Sequence, residues 1–542
     1  MAAYLHPGVY VEELPGPQLI SPVSTSNTAF VGLAEKAPAY NKAFQITSWN
    51  QYVDTFGSFM WGCQMPFAAY NFFLQGGSIC YIVAAEPGGA AASIAAGALT
   101  VTAASLGAWG NKLSVEIANY PSMPDDPPTQ VNPVFALNVY YTMPTVGEAL
   151  TLCDQLVEHY AAANKLTKIQ ISGATAYLVE AFPGFSANDL RKTGAAPCNM
   201  ELRVNSASLF VRVAVATAPD PKRPDNMAPT SLSRGAGDAD STPIDLAKAL
   251  QALDTVAEIS LLVAPETVST SDLGAQRQKV LEVVGYCERR PHRDLFYIAD
   301  SPFTATIDEI VAFKTGRASS SGKVPEGNAL NSSYGALYYP WISFLNPSNS
   351  RNVPIPLSGS MAGTYAATDQ AVGPWQVAAG INYGALRNAT GVTRILTDTD
   401  QDVLNPNGID AIRQFPTYGI VAYGGRTLTS DPSLIYISVR RLMIQIEMSL
   451  YRSLQWVVFE PNTQRLWGTV TRDITEFLTQ MWQAGALFGA AAKEAFQVQC
   501  DAANNPPALQ MQGQLVVDIK IRPVFPAEFV IIRIQQATLG SS

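Results

Sequence analysis

The stretch from Val439 to Gln535 decides the fold. It reads VRRLMIQIEMSLYRSLQWVVFEPN (439–462), DITEFLTQMWQAGALFG (473–489), FQVQCDAANNP (496–506) and, from Gln514, QLVVDIKIRPVFPAEFVIIRIQ. Val439, Leu442, Met443, Ile446, Leu450, Leu454 and Val457 recur at three- and four-residue spacing, which predicts an amphipathic helix. Arg440, Arg441, Glu447 and Arg452 fall off its apolar face. Ile474, Phe477, Leu478, Met481 and Trp482 predict a second helix, with Asp473 and Glu476 spaced as a capping box at its start. Leu515 to Ile521 alternates like a strand. Phe529 to Ile534 (FVIIRI) combines high β propensity with one charge, and left exposed it is an aggregating edge. Pairing in its own sheet, cover by another element, or donation to a neighbouring subunit would each solve that problem. Pro523 and Pro526 hold the chain extended just upstream, as in an arm leaving a domain body.

Working outward, 542 residues predict two or three domains. Only 15% of residues are charged while 47% are hydrophobic, so much apolar surface must be hidden, as a repeating assembly would hide it. A net charge of −9 argues against a nucleic-acid binder, which needs clustered bases to displace counterions. The six cysteines form no CxxC pair, and a chain this large needs no disulfide staples, so buried free thiols in a reducing cytoplasm are expected. No Lys or Arg precedes Lys36 and no apolar core follows, so no signal peptide is expected. The uncharged run 87–111 is long enough to span a membrane, but its small residues and the alternation at Leu99-Thr-Val-Thr predict strand.

Near the start, Thr28–Leu33 reads as a buried strand, Ser48–Phe56 and Pro66–Gln75 as helices, and Ser78–Ala84 as a strand after the Gly76-Gly77 stop. From residue 86 to about 235 the chain turns rich in Ala, Pro and Thr. Strand patterns there at Lys112–Ala118, Val134–Tyr141 and Leu209–Val215 predict an inserted, mainly β domain. Ile259–Val263, a helix over Ser271–Arg289 and a strand over Asp294–Ala299 form a strand–helix–strand unit of parallel α/β type.

The ends of those strands, near Ala264 and Asp300, are where an α/β enzyme would place its site. Cys287, His292 and Asp294 are close in sequence and could serve as nucleophile, base and orienting carboxylate. A half-buried helical cysteine followed by a charged loop explains them more simply. Ser360 lacks the GxSxG order of a nucleophile elbow. Between Gly316 and Gly322-Lys323 the spacing is one residue too long for a phosphate loop, and Val324 replaces the metal-holding hydroxyl. His6, His159 and His292 share no ligand motif, so neither metal nor cofactor is expected.

Several separated motifs, in order, resemble contractile tail sheath proteins of phage tails and phage-tail-like injection particles. They are HPGVYVEE (6–13), TAFVGLAE (28–35), GGSICYIVAA (76–85), GIVAYGGRTL (419–428), Arg440-Arg441, Glu447, Glu460-Pro461-Asn462 and Cys500-Asp501. Gly425 stands where alanine is commoner in that family, and Asp410 where asparagine is. The resemblance implies a multidomain α+β and α/β fold. Residues 26–85 and 236–415 would form a sheath core with a parallel α/β unit, and 86–235 an inserted mainly-β outer domain. A C-terminal domain over 416–522 would face an inner tube, and linker arms over 1–25 and 523–542 would exchange β-strands.

The implied function is a structural, non-enzymatic subunit that polymerises helically around an inner tube, assembles in the bacterial cytoplasm, and contracts without ATP, metal, nucleic acid or membrane insertion. Baseplate and terminal cap proteins would be its other partners. The arm residues carried over are Gly8, Val9, Tyr10, Val11 and Glu12, and Phe529, Val530, Ile531, Ile532, Arg533 and Ile534. Leu515, Val517, Ile519 and Ile521 would form the accepting edge, while Lys493, Glu494, Gln497 and Asp501 would face the inner tube. A static tube or shell using the same arms, and an α/β enzyme, remain the alternative readings.

Overall fold

A computed structural model describes residues 20–120, 133–218, 220–237 and 244–533. The chain divides into a larger unit, Ser24–Arg441, and a smaller one built from both ends, Leu442 onward with the residues up to Val23.

The larger unit is organised on an eight-stranded sheet. Its strands are β1 (Thr28–Gly32), β2 (Ala43–Ile46), β3 (Cys80–Ala84), β4 (Leu261–Val263), β5 (Phe296–Asp300), β6 (Gly335–Tyr339), β7 (Ile409–Phe415) and β8 (Gly419–Ala422). They lie in the order β8-β7-β6-β5-β4-β1-β3-β2. The six central strands run parallel, and β2 and β8 close the edges antiparallel. Parallel strands are covered on both faces and so read as continuous apolar runs, as TAFVG, LLV and FYIAD do. Short β2, whose AFQI lacks such a run, was not legible in the sequence. On one side α3 (Leu273–Arg289) packs Val280, Val283, Val284 and Cys287 into a core with Leu262, Tyr297 and Leu337.

Residues between Ser93 and Ser231 supply two further sheets, one of three strands (93–96, 99–103, 211–215) and one of five. The uncharged run 87–111 forms two of those strands and most of a short 3-10 turn. Among the described residues no helix is long and apolar enough to cross a membrane. All six cysteines are buried and none forms a disulfide.

A helix over Ile437–Ser453, here α5, starts in the larger unit and ends in the smaller. Two expectations need correction. Arg440 and Arg441 are buried, each with its guanidinium over a tyrosine ring (Tyr334 at 4.5 Å, Tyr365 at 4.6 Å). Delocalised, weakly hydrated guanidinium can be buried where an ammonium would not. The next helix, α6 (Gln464–Gln483), is capped by the Thr463 hydroxyl, which accepts from Leu466 N. Asp473 is therefore a buried mid-helix residue engaged by Arg472, not the start of a capping box.

Candidate assembly site: an open sheet edge

The strand ends of the large sheet are filled by the protein itself. Glu266 Oε1 accepts from Gln64 N (3.0 Å) and Met65 N (2.9 Å), at the start of helix α2 (Met65–Gln75). Asp300 Oδ1 accepts from Leu357 N and Ser358 N, both at 2.8 Å, at the start of helix α4 (Ser358–Ala371). Helix N-termini at such strand ends are natural anion sites, and here two internal carboxylates occupy them. Burial pushes each acid up to about 7, against backbone N–H bonds that favour the charged form.

The hypothetical nucleophile set also dissolves. Cys287 lies in the core with its thiol pushed up by burial. Asp294 is buried and pairs with Arg290 Nε at 2.6 Å. Ser360 is buried within α4, and Gly316 ends a helix in left-handed conformation. Among the described residues no cluster of His, Cys, Asp and Glu could hold a metal.

The smaller unit offers a different feature. Strands β9 (Phe496–Gln499) and β10 (Asp518–Ile521) form an isolated antiparallel pair with Gln497 opposite Lys520 and Phe496 opposite Ile521. Arg522 N donates to Ala495 O (2.8 Å), Phe488 N to Arg522 O (2.8 Å) and Val524 N to Ala486 O (3.2 Å). Residues 518, 520, 522 and 524 thus turn their backbone groups toward β9 and the 486–488 segment. In an extended strand the alternate residues must face the other way. Val517, Ile519 and Ile521 therefore present N–H and C=O groups along an edge that no described residue pairs with. Their side chains are half-buried while Asp518, Lys520 and Arg522 point to solvent, so one face of any added strand would be covered.

The strand begins at Asp518, three residues later than the pattern predicts. Just before it, Asn505 replaces the ladder: Val516 N donates to Asn505 Oδ1 (2.7 Å) and Asn505 Nδ2 to Val516 O (2.9 Å). Leu515 and Val517 lie in this side-chain-tethered lead-in. Nothing in a hydropathy pattern singles out an asparagine doing this.

Among the described residues beyond Val524, 525–533, none lies in a helix or strand. Phe529, Val530, Ile531 and Ile532 are 71–79% exposed, and Arg533 is exposed as well. Ile534 and the segment Gly8 to Glu12 lie outside the described residues. Lys493 and Glu494 sit on the short helical turn Ala492–Ala495, Gln497 points outward from β9, and Asp501 caps the turn that follows by accepting from Ala503 N (2.8 Å). All four are exposed.

Residues 429–537 match the family model of the phage tail sheath C-terminal domain. The tail sheath protein of Vibrio phage KVP40 is 31% identical over 186 residues, 34% of this chain and 26% of that protein. The tail sheath protein of Enterobacteria phage T4 is 24% identical over 242 residues, 44% of this chain and 35% of that protein. These matches thus span only about a quarter and a third of the two relatives. In structure, the sheath of an extracellular contractile injection system, PVC, in its contracted state superposes with TM-score 0.55 at 19% identity, covering 99% of both chains. The contracted helical sheath of the anti-feeding prophage gives 0.54 at 22%, covering 99% of this chain and 100% of its own. The chain has the fold of a contractile sheath subunit along nearly its whole length.

Proposed function

We propose that this chain is the structural subunit of a contractile sheath, polymerising helically around an inner tube and driving it through a target envelope. One observation carries the reading: an open strand edge and a hydrated apolar tail coexist in the unit that matches the sheath C-terminal domain. Each is a liability in a monomer and each is complementary to the other. Donation of residues 529–534, and of 8–12 at the other end, to the edge at 515–521 of a neighbour is strand addition. Each backbone hydrogen bond gained contributes about 0.5–1.5 kcal/mol, and burial of the Val and Ile side chains adds to that. Such arms keep subunits linked while domains move as bodies.

The exposed turn carrying Lys493, Glu494 and Asp501, with Gln497 beside it, is the surface assigned to the inner tube. Baseplate and terminal cap proteins complete the set of partners, and the particle assembles in the bacterial cytoplasm. The core domain would comprise 26–85 and 236–415, with 86–235 on the outside. The filled strand ends favour a structural over a catalytic role. Negative-stain electron microscopy of the purified protein tests the reading: striated hollow tubes are expected, and dispersed particles at high concentration would refute it. Reversing the charges of Lys493 and Glu494 should weaken docking of the inner tube while leaving the fold intact.

A further inference from the structure

The turn between α5 and α6 carries a feature that strand exchange does not use. Glu460 N donates to Val457 O at 3.1 Å. Val458 has φ −67° and ψ 128°, and Phe459 has φ +71°. These angles describe a type II turn, whose third position normally takes glycine because a side chain there crowds the backbone. Here the position holds phenylalanine, with its side chain 101% exposed. Asn462 fixes the loop just downstream, accepting from Trp467 Nε1 (2.7 Å) and donating to Gln514 O (2.8 Å). A strained backbone and a fully hydrated ring are thus held in a tethered loop, although neither helps the monomer. Backbone strain kept at an exposed aromatic marks a contact residue.

The same unit also contains a receptor. An open groove of about 610 Å³ is lined by Trp482, Leu487, Phe488 and Val524, with Gly485 and Gly489 leaving room between them. A Cβ added at Gly485 would meet nothing within 4 Å. Its wall is braced: Trp482 Nε1 donates to Gly489 O at 2.9 Å, and Phe488 and Val524 are tied into the strand pairing described above.

We propose that Phe459 of one copy seats in the Trp482–Phe488–Val524 groove of the next copy. The inference rests on the self-assembly reading and adds to it a side-chain contact separate from the arms. Two observations favour a second copy as the occupant. Knob and groove are different surfaces of one chain, and such a heterologous contact repeats into an open helix. Val524 also lies three residues beyond Ile521, so the groove continues the strand that bears the open edge.

The test uses the full chain with Phe459→Gly, and a second variant carrying the photo-cross-linker p-benzoylphenylalanine at position 459. Glycine suits the φ of the turn, so the monomer should keep or gain thermal stability. The critical concentration for tube formation should rise at least about tenfold, as expected for losing one buried aromatic anchor. In tubes, cross-links should map to residues 482–490 or to Val524 of another copy. Phe459→Gly assembling at the wild-type concentration, or cross-links landing on any other surface or on an inner tube protein, would overturn the inference alone. Failure of the wild-type chain to polymerise at all would overturn the sheath reading, and this inference with it.

Discussion

Arg441 is the last residue of the larger unit and Thr25 is its second. Arg441 Nη1 and Nη2 donate to the two oxygens of Asp369 (2.9 and 2.5 Å), and Nη2 also donates to Thr25 O (2.9 Å). The Thr25 hydroxyl donates to the same carboxylate. Both crossings of the chain out of the larger unit are therefore held at one buried ion pair. Asp369→Ala should destabilise by about 3–5 kcal/mol, because it strands a buried guanidinium, whereas the double change Asp369→Leu with Arg441→Met should recover most of that loss. Urea denaturation of the two variants checks this.

Buried acids set a second expectation. Glu266, Asp300 and Glu180 are each pushed up to about 7, mainly by burial. A raised acid binds its proton more tightly folded than unfolded, so its contribution is complete below about pH 4 and fades as pH climbs through 7. Lys314, lowered to about 8 by burial, and His159, also lowered, act in the opposite sense at higher and lower pH respectively. The thermal midpoint should fall between pH 5 and 8. Glu266→Gln with Asp300→Asn should flatten that slope, which differential scanning calorimetry would show. None of this was legible beforehand, because the partners of Asp300 and Glu266 lie more than fifty residues away along the chain.

Among elements, the apolar runs and helical spacings were legible because burial on both strand faces and along one helix stripe leaves a period in the sequence. What failed was whatever a neighbour decides. The start of α6 moved because Thr463 offered a cap ten residues before Asp473. The entry to β10 depends on Asn505, and α2 and α4 meet through glycines whose necessity appears only in three dimensions. A Cβ at Gly359 would lie 2.3 Å from both Cα and O of Ala68. Gly359→Ala should therefore cost about 1–3 kcal/mol or more, as overpacking does, and lower the thermal midpoint although alanine is the better helix former.

The parity of β10 gives a sharper element-level expectation. Lys520 N–H faces β9, while Ile519 N–H faces the open edge. Proline at 520 should break the pair and destabilise the smaller unit. Proline at 519 removes a donor that only an incoming strand would use, so the monomer should survive while assembly is lost. Circular dichroism melting alongside sedimentation separates the two, and equal damage to the fold by both would contradict the assigned edge.

For the molecule as a whole, the arm and the edge are two halves of one contact, and halves can be separated. With residues 1–12 removed and Phe459→Gly introduced in both, a chain ending at Val524 keeps the edge but lacks the C-terminal donor, and Ile519→Pro keeps that donor but blocks the edge. If donation links neighbours, each variant alone should fail to form tubes. Mixed, they should pair once through the single intact contact and stop, because the partner of each pair has no complementary half left to offer. Light scattering behind size exclusion should then show a 1:1 dimer in the mixture and monomers in either parent. A mixture that stays monomeric would show that the 529–534 segment does not add to the 515–521 edge. Long polymers from either variant alone would show that other contacts suffice to build the tube.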